Sequence, residues 1–341
     1  AFVLSDDQTP PPIARLQTSL AQYQQGLAEH RQQEINRIRS LRSQLRRCLS
    51  AVEEGSLRRA SGLFHGVEEQ LEGFDLSHHT GVRRQLEETT EALYLMGEQH
   101  RIVGISAYTV RPEIAKREKP KVSAFISARI DKIMSLVPDL VLAFSDLQAD
   151  IVRDLIKQGV NVHCFNHRSI QEVLQMIRTL SALIGEPQKG EKLVNQLVDN
   201  LNTIKASAAQ LTVKPKVYFE EWFDPLITGI TWVSELVEIA GGIDCYKEFA
   251  SESLAKNRII KDPCEVIEKA PDIIFAAWCG RPFVPEKMLS RDGWQTIPAV
   301  INKHVYEINS SDILQPGPAA LMDGINQIHR IIKNWSTQHS T

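Results

Sequence analysis

A chain of 341 residues with 43% apolar and 24% charged residues has the composition of an ordinary globular protein, long enough for two domains with separate cores. Its 39 Lys and Arg against 42 Asp and Glu leave a net charge of -3, without the basic surplus that a general nucleic-acid binder carries. No stretch of about 18 apolar residues is present to insert into a membrane, and the five cysteines lack CxxC spacing and make no disulfide framework.

The opening AFVLSDDQTPPP shows neither the basic start nor the long apolar segment of a signal peptide. Residues 1–88 hold eleven Arg and no Lys, whereas 17 Lys occur from Lys116 onward, which marks a separate module. From Ile13 to about Val52 apolar residues recur at helical spacing. Gly55 breaks the pattern, and a second helix is predicted from Ser56 to Leu71, so the module reads as an all-α hairpin with a partner of unknown kind.

An α/β pattern begins at Thr89. Helix 89–96 stops at Gly97, and strand 101–106 and loop 107–121 follow. SARIDKIMSLVPDLVLAF (127–144) then reads as an amphipathic helix, a Pro-Asp stop and an unbroken apolar strand. Helix 147–158, ended by Gly159, leads to strand VNVHCF. Ser169 opens a capping-box helix to about Ile184, and after Gly185 and Pro187 the helical pattern resumes to about Ser207. The design of 127–144 returns at 260–277 as IKDPCEVIEKAPDIIFAA. TTEALYLMGEQHRIVGIS (89–106) likewise echoes VSELVEIAGGIDCYKEFA (233–250), aligning Glu91 with Glu235.

The predicted fold is therefore α/β, with two similar lobes built on mostly parallel sheets and joined by a long helical crosspiece. Lobe one spans 89–168, the crosspiece 169–213 and lobe two 214–341. One element is unmatched: lobe two starts with an apolar strand in VKPKVYFEEW, while the same place in lobe one reads VRRQLEE, which is charged and helix-forming. A continuous helix over 81–96 and a lobe-one sheet one strand shorter, lacking a central strand, are expected, with the helical module covering part of the exposed edge.

The order of VGISAYTVRPEIA, IDKIMSLVPDLVLAF, GVNVHCFNHRSIQEVL, TWVSELVEIAGG, PDIIFAAWCG, DGWQTIPAVINKHVYEI and QPGPAALMDGI resembles the class III substrate-binding proteins of ABC importers, above all their vitamin B12-binding branch. The resemblance covers about 89–335 and implies a corrinoid or similar metal chelate held between the lobes. It implies no required cofactor and no catalysis. The partner would be an ABC-transporter permease, and the location periplasmic or cell-envelope; the unseen signal peptide keeps a cytoplasmic alternative open. Carried over by position, Tyr108, Phe125, Phe144 and Trp222 are ligand-binding aromatics, and Trp278, which ends the lobe-two echo of Phe144, joins them by internal symmetry. Asp131 matches one acidic residue that docks on the transporter. Its counterpart falls on Cys264, beside Glu265.

Other readings compete. The α/β part could be a degenerate scaffold behind a helical interaction module, or a receptor for an iron-siderophore or haem. His163, Cys164 and His167 are metal-ligand types, but strand alternation sends His163 and Cys164 to opposite faces. The adjacent carboxylates Glu220 and Glu221 also diverge on a strand, which leaves one of them as a ligand or rim contact. No Walker A, GxSxG or GxGxxG sequence is present.

Overall fold

A computed structural model describes residues 87–124 and 127–340. The expected helical hairpin, all but the last two residues of 1–88, lies outside them, as do residues 81–86 of the expected continuous helix and Phe125.

Lobe one opens with α1 (Glu87–Leu95). Strand β1 (Ile105–Ser106), a single turn α2 (Ala115–Glu118) and β2 (Lys121–Ser123) follow. Helix α3 (Ile130–Ser135) precedes β3 (Val141–Phe144), and α4 (Ala149–Lys157) precedes β4 (Val162–Phe165). The expected strand 101–106 is reduced to its last two residues, because Gln99–Arg101 turn as a short 3-10 helix. All pairing is parallel, β1 with β2 and β3 with β4.

Between the lobes stand α5 (Ile170–Leu183) and α6 (Pro187–Ala208). The predicted capping box is present: Ser169 Oγ accepts the Glu172 N–H, and the Glu172 carboxylate accepts the Ser169 N–H. Gly185, at φ 75°, takes the left-handed conformation that ends α5, and Pro187 starts α6. The predicted crosspiece is thus two helices that pack on each other, and α6 makes the crossing to lobe two. Gly190 is needed there, since a Cβ at this position would lie 1.9 Å from Ser181 Oγ. At 22 residues α6 is about 33 Å long, by the rise of an α-helix.

Lobe two holds β5 (Lys216–Phe223), β6 (Leu226–Thr228), α7 (Thr231–Ile239), β7 (Ile243–Asp244), α8 (Cys264–Lys269) and β8 (Ile273–Ala276). These are followed by α9 (Pro285–Leu289), α10 (Pro298–Ile301), β9 (Val305–Glu307), α11 (Ser310–Ile313), a π-helical turn (Ala320–Gly324) and α12 (Ile325–Gln338). Its five strands form one sheet. β5 lies between β7 and β8, parallel to both, β9 flanks β8 in parallel, and only β6 is antiparallel. β8 is wholly buried, as its unbroken apolar run requires.

Among the described residues, lobe one has four strands where lobe two has five. The described strands of lobe one fall into two separate pairs. The internal repeat reaches the backbone: Val137 and Ala270, each just before the proline that stops its helix, take φ of 48° and 47°. A left-handed conformation costs a β-branched residue about 1–2 kcal/mol, and Val137 is 82% exposed, so no packing offsets it. Val137→Gly should therefore raise stability by about 1 kcal/mol in denaturant unfolding. A stability loss would contradict the assigned backbone strain.

Candidate functional site

In open parallel α/β sheets, ligands bind beyond the carboxyl ends of the strands, where the loops of successive strands diverge. Four of the five aromatics singled out in the sequence sit at such ends. Tyr108 follows β1, Phe144 closes β3, Trp222 is the penultimate residue of β5 and Trp278 follows β8. Phe125 lies outside the described residues.

Their exposure separates them. Tyr108 is 37% exposed, Trp222 7%, Trp278 2% and Phe144 1%. The Phe144 ring packs edge-on against His167 at 5.0 Å, and the Arg168 guanidinium lies 4.9 Å from its centroid. In lobe two the rings form a continuous run. Trp222 and Phe223 are 4.9 Å apart, Phe223 and Trp278 4.5 Å, and Trp278 and Phe283 5.0 Å. Two cations border the run, Arg281 at 5.7 Å from the Trp222 centroid and Lys287 Nζ at 4.8 Å from that of Phe223. Phe223, Phe283, Arg281 and Lys287 were not evident in the sequence, because only the folded sheet brings the β5 and β8 ends side by side.

Glu220 and Glu221 point to opposite faces of β5, as alternation requires, and neither is a rim contact. Glu220, fully buried, accepts both terminal nitrogens of Arg291 (2.6 and 3.0 Å), Trp278 Nε1–H (2.9 Å) and the Tyr218 hydroxyl (3.2 Å). Burial pushes its carboxyl above the ordinary range against the opposing pull of Arg291. Glu221 accepts Arg258, which is 1% exposed, at 2.6 Å. Glu220 thereby supports the aromatic run through Trp278, whereas Glu221 is engaged with Arg258 on the other face of β5. The Glu220–Trp278 bond also fixes the indole orientation.

His163, Cys164 and His167 do not converge. His163 stacks edge-on with Phe165 at 4.4 Å, Cys164 Sγ lies 3.6 Å from the Ser145 carbonyl, and His167 Nε2 is 2.7 Å from the Pro316 carbonyl. Among the described residues, no group of three His, Cys, Asp or Glu is placed to hold a metal ion. A carbonyl only accepts, so Nε2 of His167 carries the proton. Burial lowers the imidazole pKa to about 4.

His167 follows β4 and Pro316 follows β9 and α11, so their contact shows that the two lobes meet at the carboxyl ends of their strands. Three further bonds cross the same boundary. Glu91 of α1 accepts the Ala319 N–H at 3.1 Å, while its repeat partner Glu235 of α7 accepts the N–H of Ile170, at the start of α5 in the crosspiece, at 2.7 Å. Arg111, in the loop after β1, donates to Glu91 (2.7 Å) within its own lobe and to Asp312 (3.0 Å) and Asp323 of lobe two. Gly317 lies so close to α1 that a Cβ would be 2.5 Å from that of Glu88. The sequence echo aligned Glu91 with Glu235. Arg111 left no local sign, since two of its three carboxylates are about 200 residues away.

One guanidinium serving three carboxylates is a geometry that an ammonium cannot reproduce. Burial raises the Glu91 carboxyl pKa in spite of Arg111, so loss of Arg111 leaves a buried acid without its counter-charge. Arg111→Ala should cost about 2–3 kcal/mol, less than a fully buried pair because Arg111 is partly exposed. Arg111→Lys should recover less than half of that loss. Urea unfolding checks both, and equal stability of Arg111→Ala and the parent would remove this bridge from the account.

The similarity of this chain to known proteins agrees with the geometry. The periplasmic binding protein family profile matches residues 87–311. The vitamin B12-binding protein of Vibrio parahaemolyticus is 27% identical over 240 residues, covering 68% of this chain and 82% of that protein. An uncharacterized ABC transporter substrate-binding lipoprotein of Bacillus subtilis is 26% identical over 249 residues, covering 70% and 75%. The periplasmic haem-binding protein of Roseiflexus sp. RS-1 in apo form has a TM-score of 0.63 at 20% identity, covering 74% of this chain and 99% of that one. For the periplasmic vitamin B12-binding protein of Vibrio cholerae the TM-score is 0.58 at 22% identity, covering 72% and 93%. With two lobes, parallel sheets and a helical crossing, the chain belongs to the periplasmic binding protein family, as a substrate-binding protein of the ABC-importer type.

Proposed function

We propose that this protein binds a corrinoid, or a metal chelate of similar size and flatness, at the carboxyl ends of its strands, and presents it to an ABC-transporter permease without chemical change. The observation that carries this reading is the aromatic run Trp222–Phe223–Trp278–Phe283 with Arg281 and Lys287 at its border. Flat apolar rings suit the face of a macrocycle, which gains about 25 cal/mol for each Å² of apolar surface removed from water. The bordering cations suit the carboxylate or phosphate groups such chelates carry. The vitamin B12-binding names of relatives such as that of Vibrio parahaemolyticus support the ligand class.

Burial divides the proposed contacts into two layers. Tyr108 supplies the accessible surface of lobe one, and Trp222 with Phe223 that of lobe two. Trp278 packs against Phe223 from the buried side, and Phe144 is buried against His167 and Arg168. Phe125 keeps its proposed role as a further ligand contact. Intrinsic tryptophan fluorescence should be quenched on titration with cyanocobalamin, and haem and a ferric siderophore serve as competitors. Tyr108→Ala combined with Trp222→Ala should weaken binding at least tenfold, equivalent to about 1.4 kcal/mol. Unchanged affinity in the double variant would remove this site.

For the permease, the proposed contacts are Asp131 and Glu265. Each stands in the first turn of its helix, α3 and α8, at closely related positions of the internal repeat. Asp131 is exposed, with Arg129 3.2 Å away holding its carboxyl below the ordinary range. Exposed charges of this kind steer encounter more than they add affinity. Reversal of both (Asp131→Lys, Glu265→Lys) should slow association with the permease in nanodiscs by about tenfold at low salt, with cyanocobalamin binding unchanged. An association rate equal to that of the parent would exclude this surface.

A further inference from the structure

The four rings of the aromatic run come from three separate places in the chain. Trp222 and Phe223 end β5, Trp278 follows β8, and Phe283 lies in the loop after it. Backbone pairing between β5 and β8 stops short of the rings. The paired register ends at Glu220 and Ala276. Beyond it the Ala277 N–H reaches the Glu220 carbonyl at 2.9 Å and the Cys279 N–H reaches that of Glu221 at 3.4 Å, so the ladder loosens at the level of Trp222 and Trp278. The rings also depend on one another. Phe223 and Trp278 are 4.5 Å apart and tilted by 37°, and Trp278 and Phe283 are 5.0 Å apart at 78°, so a turn of the Trp278 indole disturbs both contacts.

Arg291 stands at the far end of the loop that carries Arg281, Phe283 and Lys287, and its side chain reaches back to β5. Nη1 donates to Glu220 Oε2 at 2.6 Å, and Nη2 donates to Glu220 Oε1 at 3.0 Å and to the Phe223 carbonyl at 3.1 Å. The aromatic donors to Glu220 divide in the same way. Tyr218 gives its hydroxyl proton to Oε2 at 3.2 Å, and Trp278 Nε1–H goes to Oε1 at 2.9 Å. Each carboxylate oxygen is thus shared by one guanidinium nitrogen and one aromatic donor. The terminal torsion of a glutamate has no sharp wells of its own, so it is the two-pronged guanidinium that holds the plane of this carboxylate. The guanidinium is held in turn, with its carbon 4.3 Å from the centroid of the fully buried Trp294 ring.

We propose that Arg291 is a positioning residue of the binding site: by locking the Glu220 carboxylate it sets the face that Trp278 turns to its neighbours, and by holding the Phe223 carbonyl it steadies the ring beside it. This role presupposes that the aromatic run is the ligand platform, as proposed above, whereas the alignment of the rings exists with or without ligand. Arg291 acts through Trp278 and Phe223 and is not itself a ligand contact. A lysine at this position would keep the charge, but a single point donor cannot span both carboxylate oxygens and the Phe223 carbonyl. The Trp278 indole would then follow a carboxylate free to turn, and a flat chelate would meet rings out of line.

Two measurements on the full chain test this. In the ligand-free protein the Trp278 indole N–H should exchange slowly with solvent, and at least tenfold faster in Arg291→Lys. Titration with cyanocobalamin, or with haem if the parent binds only haem, should show at least tenfold weaker binding in the same variant. In a Trp278→Phe background, which lacks the indole donor, Arg291→Lys should cost less than threefold. The Phe275 amide of β8 reports whether the fold survives. If Arg291→Lys loses that protection, the double variant Glu220→Gln with Arg291→Met, which leaves no unpaired buried charge, takes its place and should show the same two effects. Parent-like indole exchange or parent-like affinity in a folded variant would overturn the proposal. A tenfold loss that persists in the Trp278→Phe background would do the same, since Arg291 would then act by another route. Loss of Phe275 protection in both variants would assign the pair to the fold and not to the rings, against the proposal. A parent that binds neither chelate would sink the proposed function, and the indole exchange alone would then decide whether Arg291 aligns Trp278.

Discussion

An inner strand of a parallel sheet must be hydrogen-bonded along both edges, because helices covering both faces keep water from its backbone. Lobe two meets this condition: β5 is flanked by β7 and β8, and β8 by β5 and β9. It therefore supports a wholly buried strand and carries a fully buried carboxylate, Glu220, on the same sheet. Among the described residues, lobe one meets the condition only within its two strand pairs. Tyr108 and Phe144, the proposed ligand contacts of this lobe, stand at the carboxyl ends of β1 and β3, one strand from each pair.

The lobes are joined in two ways that resist motion differently. The covalent connection is α6, a continuous helix that fixes a distance. Its first turn is tied to lobe one by Lys189 bonding to the buried Glu98, and it packs on α7 and α12 in lobe two. The noncovalent connection is a set of directional bonds from loops and helix ends: Glu91 to Ala319, His167 to Pro316, and Arg111 to Asp312 and Asp323. Each of the two related glutamates accepts a backbone N–H from outside its own lobe, Glu91 from lobe two and Glu235 from Ile170 of the crosspiece, so the internal repeat serves the interfaces as well as the cores. Bonds of this kind have a narrow range of geometry, which favours small adjustments over wide opening.

Under the aromatic run, buried charge serves orientation. Glu220 holds Trp278 through its indole N–H, and Arg291, which neutralises Glu220, also lies 4.3 Å from the Trp294 centroid. A buried ion pair contributes little net stability compared with apolar packing, but it has directional requirements that apolar packing lacks. A ring that must present one face to a flat ligand benefits from such a constraint.

Much of this was legible in the sequence, for a local reason. Helix and strand periodicity, the Pro-Asp stops at 138–139 and 271–272, the capping box at Ser169 and the duplicated segments depend on residues close together in the chain, and they determined the two lobes, the parallel strands and the helical crossing. Contacts between residues far apart were not legible. Whether Phe144 is a surface or a floor depends on Gln148, His167 and Arg168 closing around it, and Glu220 was misjudged because Arg291 and Trp278 arrive from other loops. Which strands pair with which, β1 with β2 and β3 with β4, followed from the fold, which the sequence does not carry locally. Periodicity decides which face of an element is apolar, whereas tertiary packing alone decides what that face and each strand edge will meet.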